Sequence, residues 1–164
     1  MSEQLTTIEV EEFLPHAPAT VWRALTEPEL IARWLMENDF QAIVGHKFQM
    51  RGIPVPAVGF SGLVASEVLD VETDKLLRIS WRDAHSGNNL DSTVTWSIAA
   101  EDTGTRLSLV HDGFDPSEPT HVASHRIMSG GWRNQVLPRL GQTLAELDGT
   151  ESNGNESNST ESNS

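Results

Sequence analysis

The chain contains no cysteine. Disulfide bonds and thiolate chemistry are thereby excluded. No apolar run approaches the roughly 18 residues that a membrane-spanning helix needs. The opening residues, Met1 to Thr7, lack the basic and then apolar order of a secretory signal. A cytoplasmic location with no membrane span is the expectation from these absences. Cations are scarce: 11 Lys and Arg stand against 24 Asp and Glu, for a net charge of −13. Such a surface repels nucleic-acid phosphates and anionic membranes, so no nucleic-acid partner is expected.

Catalytic signatures are missing as well. There is no Gly-x-Ser-x-Gly elbow, no phosphate-cradling loop and no dinucleotide glycine fingerprint. No cofactor is expected. Ser61 falls in a predicted strand, not on a nucleophile turn. The carboxylate pairs Glu11-Glu12 and Glu101-Asp102 lie on predicted strands, where neighbours face opposite ways and cannot form a dyad. His121 and His125 are four apart on a predicted helix, a spacing that can serve one metal ion. No acidic residue joins them at a matching step, so no metal site is expected. His16, His46 and His85 fall in turns or edges and should face solvent. Arg82 and Asp83 end a strand and should pair at the surface.

What the chain does carry is pattern. Its 164 residues suit one domain, placed at residues 1–148. Residues 149–164 contain only Gly, Thr, Glu, Ser and Asn, which cannot bury apolar surface, so a disordered tail is expected there. A first strand is read over residues 5–14, with Ile8 and Val10 on one face, ending at Pro15. Pro18 and Pro28 open two short helices, with Val21, Ala24 and Leu25, then Leu30, Ile31, Trp34 and Leu35, facing inward.

Residues 38–112 alternate as strands. Phe48 and Met50 share a face, residues 52–59 read as a loop, and Phe60 to Val71 reads as a long strand. Leu77, Ile79 and Trp81 follow after a turn at Glu72 to Asp74. Past a loop over His85 to Asp91 come Val94, Trp96 and Ile98. A tight turn at Asp102 to Gly104 leads to Leu107, Leu109 and His111. The short connections imply antiparallel hairpins.

The longest helical pattern runs from about Thr120 to Leu147. Met128, Trp132, Val136, Leu140, Leu144 and Leu147 recur at steps of four, four, four, four and three, one apolar face of a helix. Gly130-Gly131 softens it, each Gly costing roughly 1 kcal/mol against Ala. Pro138 removes a backbone hydrogen bond and should kink it. A bent apolar helix can lie on a curved sheet without filling the space beneath.

This order of elements resembles the α+β helix-grip fold of the START-like (SRPBCC) superfamily: a curved antiparallel sheet, two short helices and a long C-terminal helix. Local motifs narrow the likeness. Phe13 to Leu35 carries Val21, Trp22, Leu25, Thr26, Pro28 and Trp34. Gly59 to Trp81 carries a Gly-x-x-Gly strand and a closing Trp. His111, Gly113 and Phe114 precede the helix, which holds Gly131-Trp132 and Leu137 to Leu140. Together they resemble the activator of heat-shock protein 90 ATPase homologue family over about residues 5–147. Such sequences often place proline directly after the helix tryptophan, whereas here Arg133 follows Trp132 and the proline is Pro138.

The resemblance implies a small apolar ligand, such as a lipid or polyketide-like molecule, held between sheet and helix. It also implies two alternatives: a cyclase- or dehydratase-type enzyme, or a stress-response protein that meets a chaperone ATPase. The eukaryotic activator usually has an additional domain, and no room for one is expected in these 164 residues. The expected cavity lining is Phe48, Met50, Trp81, Val94, Trp96, Leu109, Met128 and Trp132, large adaptable walls of aromatic, aliphatic and Met side chains. A buried Trp needs a partner for its indole N–H, so some polar groups should point inward. His111 shares the inward face and could orient a ligand or act as acid or base. Without an inward nucleophile, binding without catalysis is the leading expectation.

Overall fold

A computed structural model describes residues 6–85 and 90–160, with side chains described as far as Gly149. Leu5 of the expected first strand and most of the turn expected over His85 to Asp91 lie outside the described residues. Seven strands form one sheet: β1 (Thr7–Leu14), β2 (Glu37–Asn38), β3 (Lys47–Arg51), β4 (Leu63–Glu72), β5 (Leu76–Asp83), β6 (Asp91–Glu101) and β7 (Gly104–Asp112). Their spatial order is β1-β7-β6-β5-β4-β3-β2, with every neighbouring pair antiparallel. The curled half-barrel grips a long helix, the helix-grip architecture expected from the order of elements.

Period-two alternation sets the inner face. Phe48 and Met50 of β3, Leu77, Ile79 and Trp81 of β5, Val94, Trp96 and Ile98 of β6, and Leu107, Leu109 and His111 of β7 are all buried. The tight β6–β7 turn places Asp102 at φ 54°, a left-handed position that Asp tolerates. Gly104 follows because a Cβ there would lie 2.3 Å from the Leu14 carbonyl oxygen.

β4 begins later than the alternation suggests. Ser61 lies outside any strand, and the bend at Gly62 takes φ +97° against the Pro54 ring. The ladder therefore starts at Leu63. Between β3 and β4 the loop carries a 3-10 turn, Pro56–Val58, and an isolated bridge from Val55 to Phe60.

α1 (Pro18–Thr26) and α2 (Pro28–Trp34) each start on proline, whose missing N–H has no partner to lose in a first turn. They bury Val21, Ala24 and Leu25, then Leu30, Ile31 and Trp34. The Trp34 indole N–H donates to the Ala24 carbonyl at 2.9 Å, and its ring meets Trp96 edge-on.

The long rod is α3 (Pro119–Gly131), a π turn (Trp132–Val136) and α4 (Leu137–Thr160). The soft Gly pair and the proline thus belong to one interruption. The Leu137 N–H reaches back five residues to the Trp132 carbonyl, and the register shifts just ahead of Pro138. The even step of four therefore fails across the turn. After Trp132 the buried residue is Leu137, with Val136 only half-buried, and the stripe resumes at Leu140, Leu144 and Leu147.

The rod also runs past residue 149, where disorder is expected, to Thr160. No proline follows Pro138 to stop it, and each added residue needs only one more backbone bond. The last buried side chain among the described residues is nevertheless Leu147.

His16 departs from its expected solvent-facing role. Its Nδ1 pairs with Asp148 Oδ2, and its carbonyl accepts from Thr105 Oγ1 at 2.7 Å. Arg33 pairs with Glu146 beside it, so α4 is tied to the layer of short helices. His46 is half-buried, its Nε2 2.9 Å from the Asp39 carbonyl oxygen and its ring stacked on Phe48. His85 is exposed, as expected.

Candidate functional site

The space under the rod divides in two. On the side covered by α1, α2 and α4, aromatic and aliphatic side chains interlock. Trp34 meets Trp96 with ring centroids 6.2 Å apart, and Phe40 meets Phe48 at 5.2 Å. A void of only about 10 Å³ remains there, bordered by Met50 and Leu77 among others. On the side covered by α3 and the π turn, a cavity of about 320 Å³ stays open. That lies at the low end of the roughly 300–1,000 Å³ of small-molecule sites.

Each wall of this cavity comes from a different element. The end of α2 supplies Leu35 and Met36; the β3–β4 loop supplies Ile53, Val55, Val58 and Phe60; β5 supplies Trp81. The rod closes it with Ile127, Met128, Gly131, Trp132 and Val136, and adds Ser124, Gln135 and Arg139. A Cβ on Gly131 would meet no atom within 4 Å, so the missing side chain leaves space rather than avoiding a clash. Ile53 (82% exposed), Ile127 (47% exposed), Gln135 and Arg139 are the exposed residues of the lining, so the cavity opens along the rod as far as Arg139.

A hydrogen-bonded relay fixes both tryptophans of the cavity. Trp132 Nε1–H donates to His111 Nδ1 at 3.1 Å. That nitrogen must then be the bare one, so Nε2 carries the proton and donates to Ser92 Oγ at 2.9 Å. The Ser92 hydroxyl donates onward to the Trp81 carbonyl at 2.8 Å. The rings pack closely too, Trp81 against Trp132 at 5.7 Å and against His111 at 5.4 Å. His111 is 0% exposed. Burial, with the charge of His125 adding to it, lowers its pKa to about 3, so the ring is neutral near pH 7.

The loop wall is anchored by Asp83. Its carboxylate accepts from the Ser61 hydroxyl at 2.5 Å, the Ser61 amide at 2.8 Å and the His85 amide at 2.9 Å. Burial pushes the Asp83 pKa up, but these bonds outweigh it and the net shift is downward. Asp83 is therefore not a surface partner of Arg82; it is a buried acceptor that holds the bend after Phe60. Ser61, outside the strand expected for it, donates to a carboxylate with no imidazole between, which is not a nucleophile's arrangement.

The expected lining residues scatter. Trp81, Met128 and Trp132 border the open cavity. Phe48, Met50 and Trp96 border the small void instead, and Val94, Leu109 and His111 are core. The Trp96 indole N–H is buried without a partner, contrary to the expectation for buried tryptophans. As an acid or base His111 has no ring nitrogen left for a ligand, since both are engaged by Trp132 and Ser92.

His121 and His125 are both buried. His121 Nδ1 accepts from the Asp115 amide at 3.0 Å, and His125 Nε2 lies 2.9 Å from the Thr7 carbonyl oxygen. No cluster able to hold a metal ion occurs among the described residues. Sequence reasoning missed Val55, Val58 and Phe60. Their signal was an apolar loop, Ile53 to Phe60, interrupted by two prolines in a polar, acidic chain.

A second hollow, of about 560 Å³, lies on the outer face of the sheet. It is larger, but Lys47, Gln49, Glu67, Ser80, Arg82 and Asp91 give it charges of both signs and little apolar wall. Among the described residues no helix is long and apolar enough to cross a membrane.

Comparisons with known proteins bear on the fold and the family. The family model described as "Activator of Hsp90 ATPase homolog 1-like protein" matches residues 15–145. Protein MLL2253 from Mesorhizobium loti is 36% identical, with a TM-score of 0.73 over 85% of this chain and 97% of its own. BH1534 from Bacillus halodurans is 27% identical, with a TM-score of 0.66 over 84% of this chain and 96% of its own. PFC0360w, an HSP90 activator from Plasmodium falciparum, is 20% identical, with a TM-score of 0.67 over 85% of this chain and 96% of its own, and shares the fold. A search of curated proteins finds no match.

Proposed function

This chain belongs to the Activator of Hsp90 ATPase homolog 1-like family, and from that membership we propose that it binds a small apolar molecule, without catalysis, in the cavity between the β3–β4 loop, Trp81 and the π turn. The observation that carries this reading is the cavity itself: about 320 Å³ of open space walled by Trp81, Trp132, Met128, Val58 and Phe60. Apolar walls drop their contact with water when a ligand of like polarity replaces it, at roughly 25 cal/mol per Å² covered. A catalytic reading loses its candidate, because His111 is occupied by two neighbours and neutral.

Isotopically labelled protein titrated with lipids and polyketide-like aromatics tests the proposal. Binding should move the indole signals of Trp81 and Trp132 and leave Trp34 in place. Gly131→Leu should fill the cavity and abolish those shifts. It should leave stability equal or higher by about 1 kcal/mol, because Gly is a poor helix residue. Shifts that spare Trp81 and Trp132 for every compound tried would refute the reading.

A second reading, contact with a protein such as a chaperone ATPase, is supported by Ile43 and Val44, which are 59% and 61% exposed side by side at one turn. Substituting both by Ser should weaken such a complex and leave ligand shifts unchanged.

A further inference from the structure

The cavity wall is largely apolar, with one ionisable side chain, Arg139, on its described lining. Arg139 is exposed, and no carboxylate pairs with it among the described residues. Its neighbour on the rod is differently placed: Arg133 donates to the Glu9 carbonyl at 3.0 Å and to Ser129. Gln135 stands one helical turn before Arg139, also exposed and also on the lining, with an amide that can donate beside the guanidinium. At the other end of the lining, the Ser124 hydroxyl is buried and without a hydrogen-bond partner. From Ser124 to Arg139 the lining follows the rod for about 22 Å at helical rise, so the cavity is elongated.

We propose that the cavity selects an elongated amphipathic monoacid, its apolar body against Trp81, Met128 and Trp132 and its carboxylate on Arg139. The inference rests on the binding reading above. A guanidinium offers a fork of N–H donors that matches a carboxylate's two oxygens. The anion stays at the mouth, where the side chain is exposed, so neither charge is stripped of water. One positive group on a chain of net charge −13 suits a single negative charge and disfavours a dianion, whose second charge would be uncompensated.

The test compares dodecanoate with dodecanol, equal in carbon count, by calorimetric titration of the full chain below micelle-forming concentrations. Wild-type protein should bind dodecanoate about tenfold more tightly, and the advantage should shrink as salt screens the pair. Arg139→Gln should bring dodecanoate down to the dodecanol level and leave dodecanol unchanged. Arg139→Lys, which keeps the charge and loses the fork, should retain part of the preference. Equal binding of the two ligands by wild type, or an equal loss of both in Arg139→Gln, overturns the monoacid inference and leaves the binding reading standing. Failure of both ligands, with no indole shift for any compound, overturns the binding reading and this inference with it.

Discussion

Two halves of one interior use the same kinds of residue and reach opposite ends. Under α1, α2 and α4, Trp34, Trp96, Phe40 and Phe48 close to a void of about 10 Å³. Under α3 and the π turn, Trp81, Trp132, Phe60 and Met128 surround about 320 Å³. Aromatic content therefore does not decide where a cavity forms. The cover does. Two proline-started helices can set their side chains down into the sheet. A loop with Pro54 and Pro56, facing a rod that changes register at Trp132–Val136, cannot follow the sheet as closely.

The comparison breaks first at Leu140. This side chain is wholly buried over the packed half. Leu140→Ala should cost about 2–5 kcal/mol, read as a lowered urea midpoint. Met128→Ala, at a residue only half-buried beside open space, should cost about 1 kcal/mol or less. Equal costs would mean that the open half is as tightly packed as the other.

A smaller effect follows pH. Burial holds the His111 pKa at about 3 in the folded chain, below the ordinary histidine value of about 6.5. The unfolded chain therefore takes up a proton first as pH falls. The stability that neutral His111 allows is full above about pH 6.5 and is lost at roughly 1 kcal/mol per pH unit toward pH 3. His111→Leu should remove that component from the acid limb of the urea-stability profile. At neutral pH it should cost about 1–3 kcal/mol, because the Trp132 N–H is left unpaired. An unchanged acid limb would place the titrating group elsewhere.

The smallest effect belongs to Ser124. Its hydroxyl is buried without a partner, so Ser124→Ala should leave stability unchanged or raise it by a few tenths of a kcal/mol in thermal melts. A clear loss would show that the hydroxyl is satisfied.

Much of this was readable along the chain. The alternation of Leu77, Ile79 and Trp81, or of Leu107, Leu109 and His111, names the inner face of β5 and β7 correctly. Pro18 and Pro28 mark two helix starts. The rod was legible as a helix but not in phase, because the step from Trp132 to Leu137 depends on a π turn that no local periodicity announces. His111 was legible as inward and not as a holder of Trp132, since its two side-chain partners stand 19 and 21 residues away. Asp83 read as a surface charge because its acceptor role needs Ser61, 22 residues earlier.

Strand alternation, helix starts and the acidic balance are properties of neighbouring residues, set by backbone periods of two and 3.6 and by simple charge count. The order of elements they mark out resembles the helix-grip fold, and the likeness to the family came from the motifs at Phe13 to Leu35, Gly59 to Trp81 and His111 to Leu140. A cavity has no such local cause. It is what remains when the end of α2, a proline-bearing loop, one strand and the rod meet at distances their own sequences do not specify. Which tryptophans face open space, and which arginine stands at the mouth, was therefore decided only when those surfaces came together.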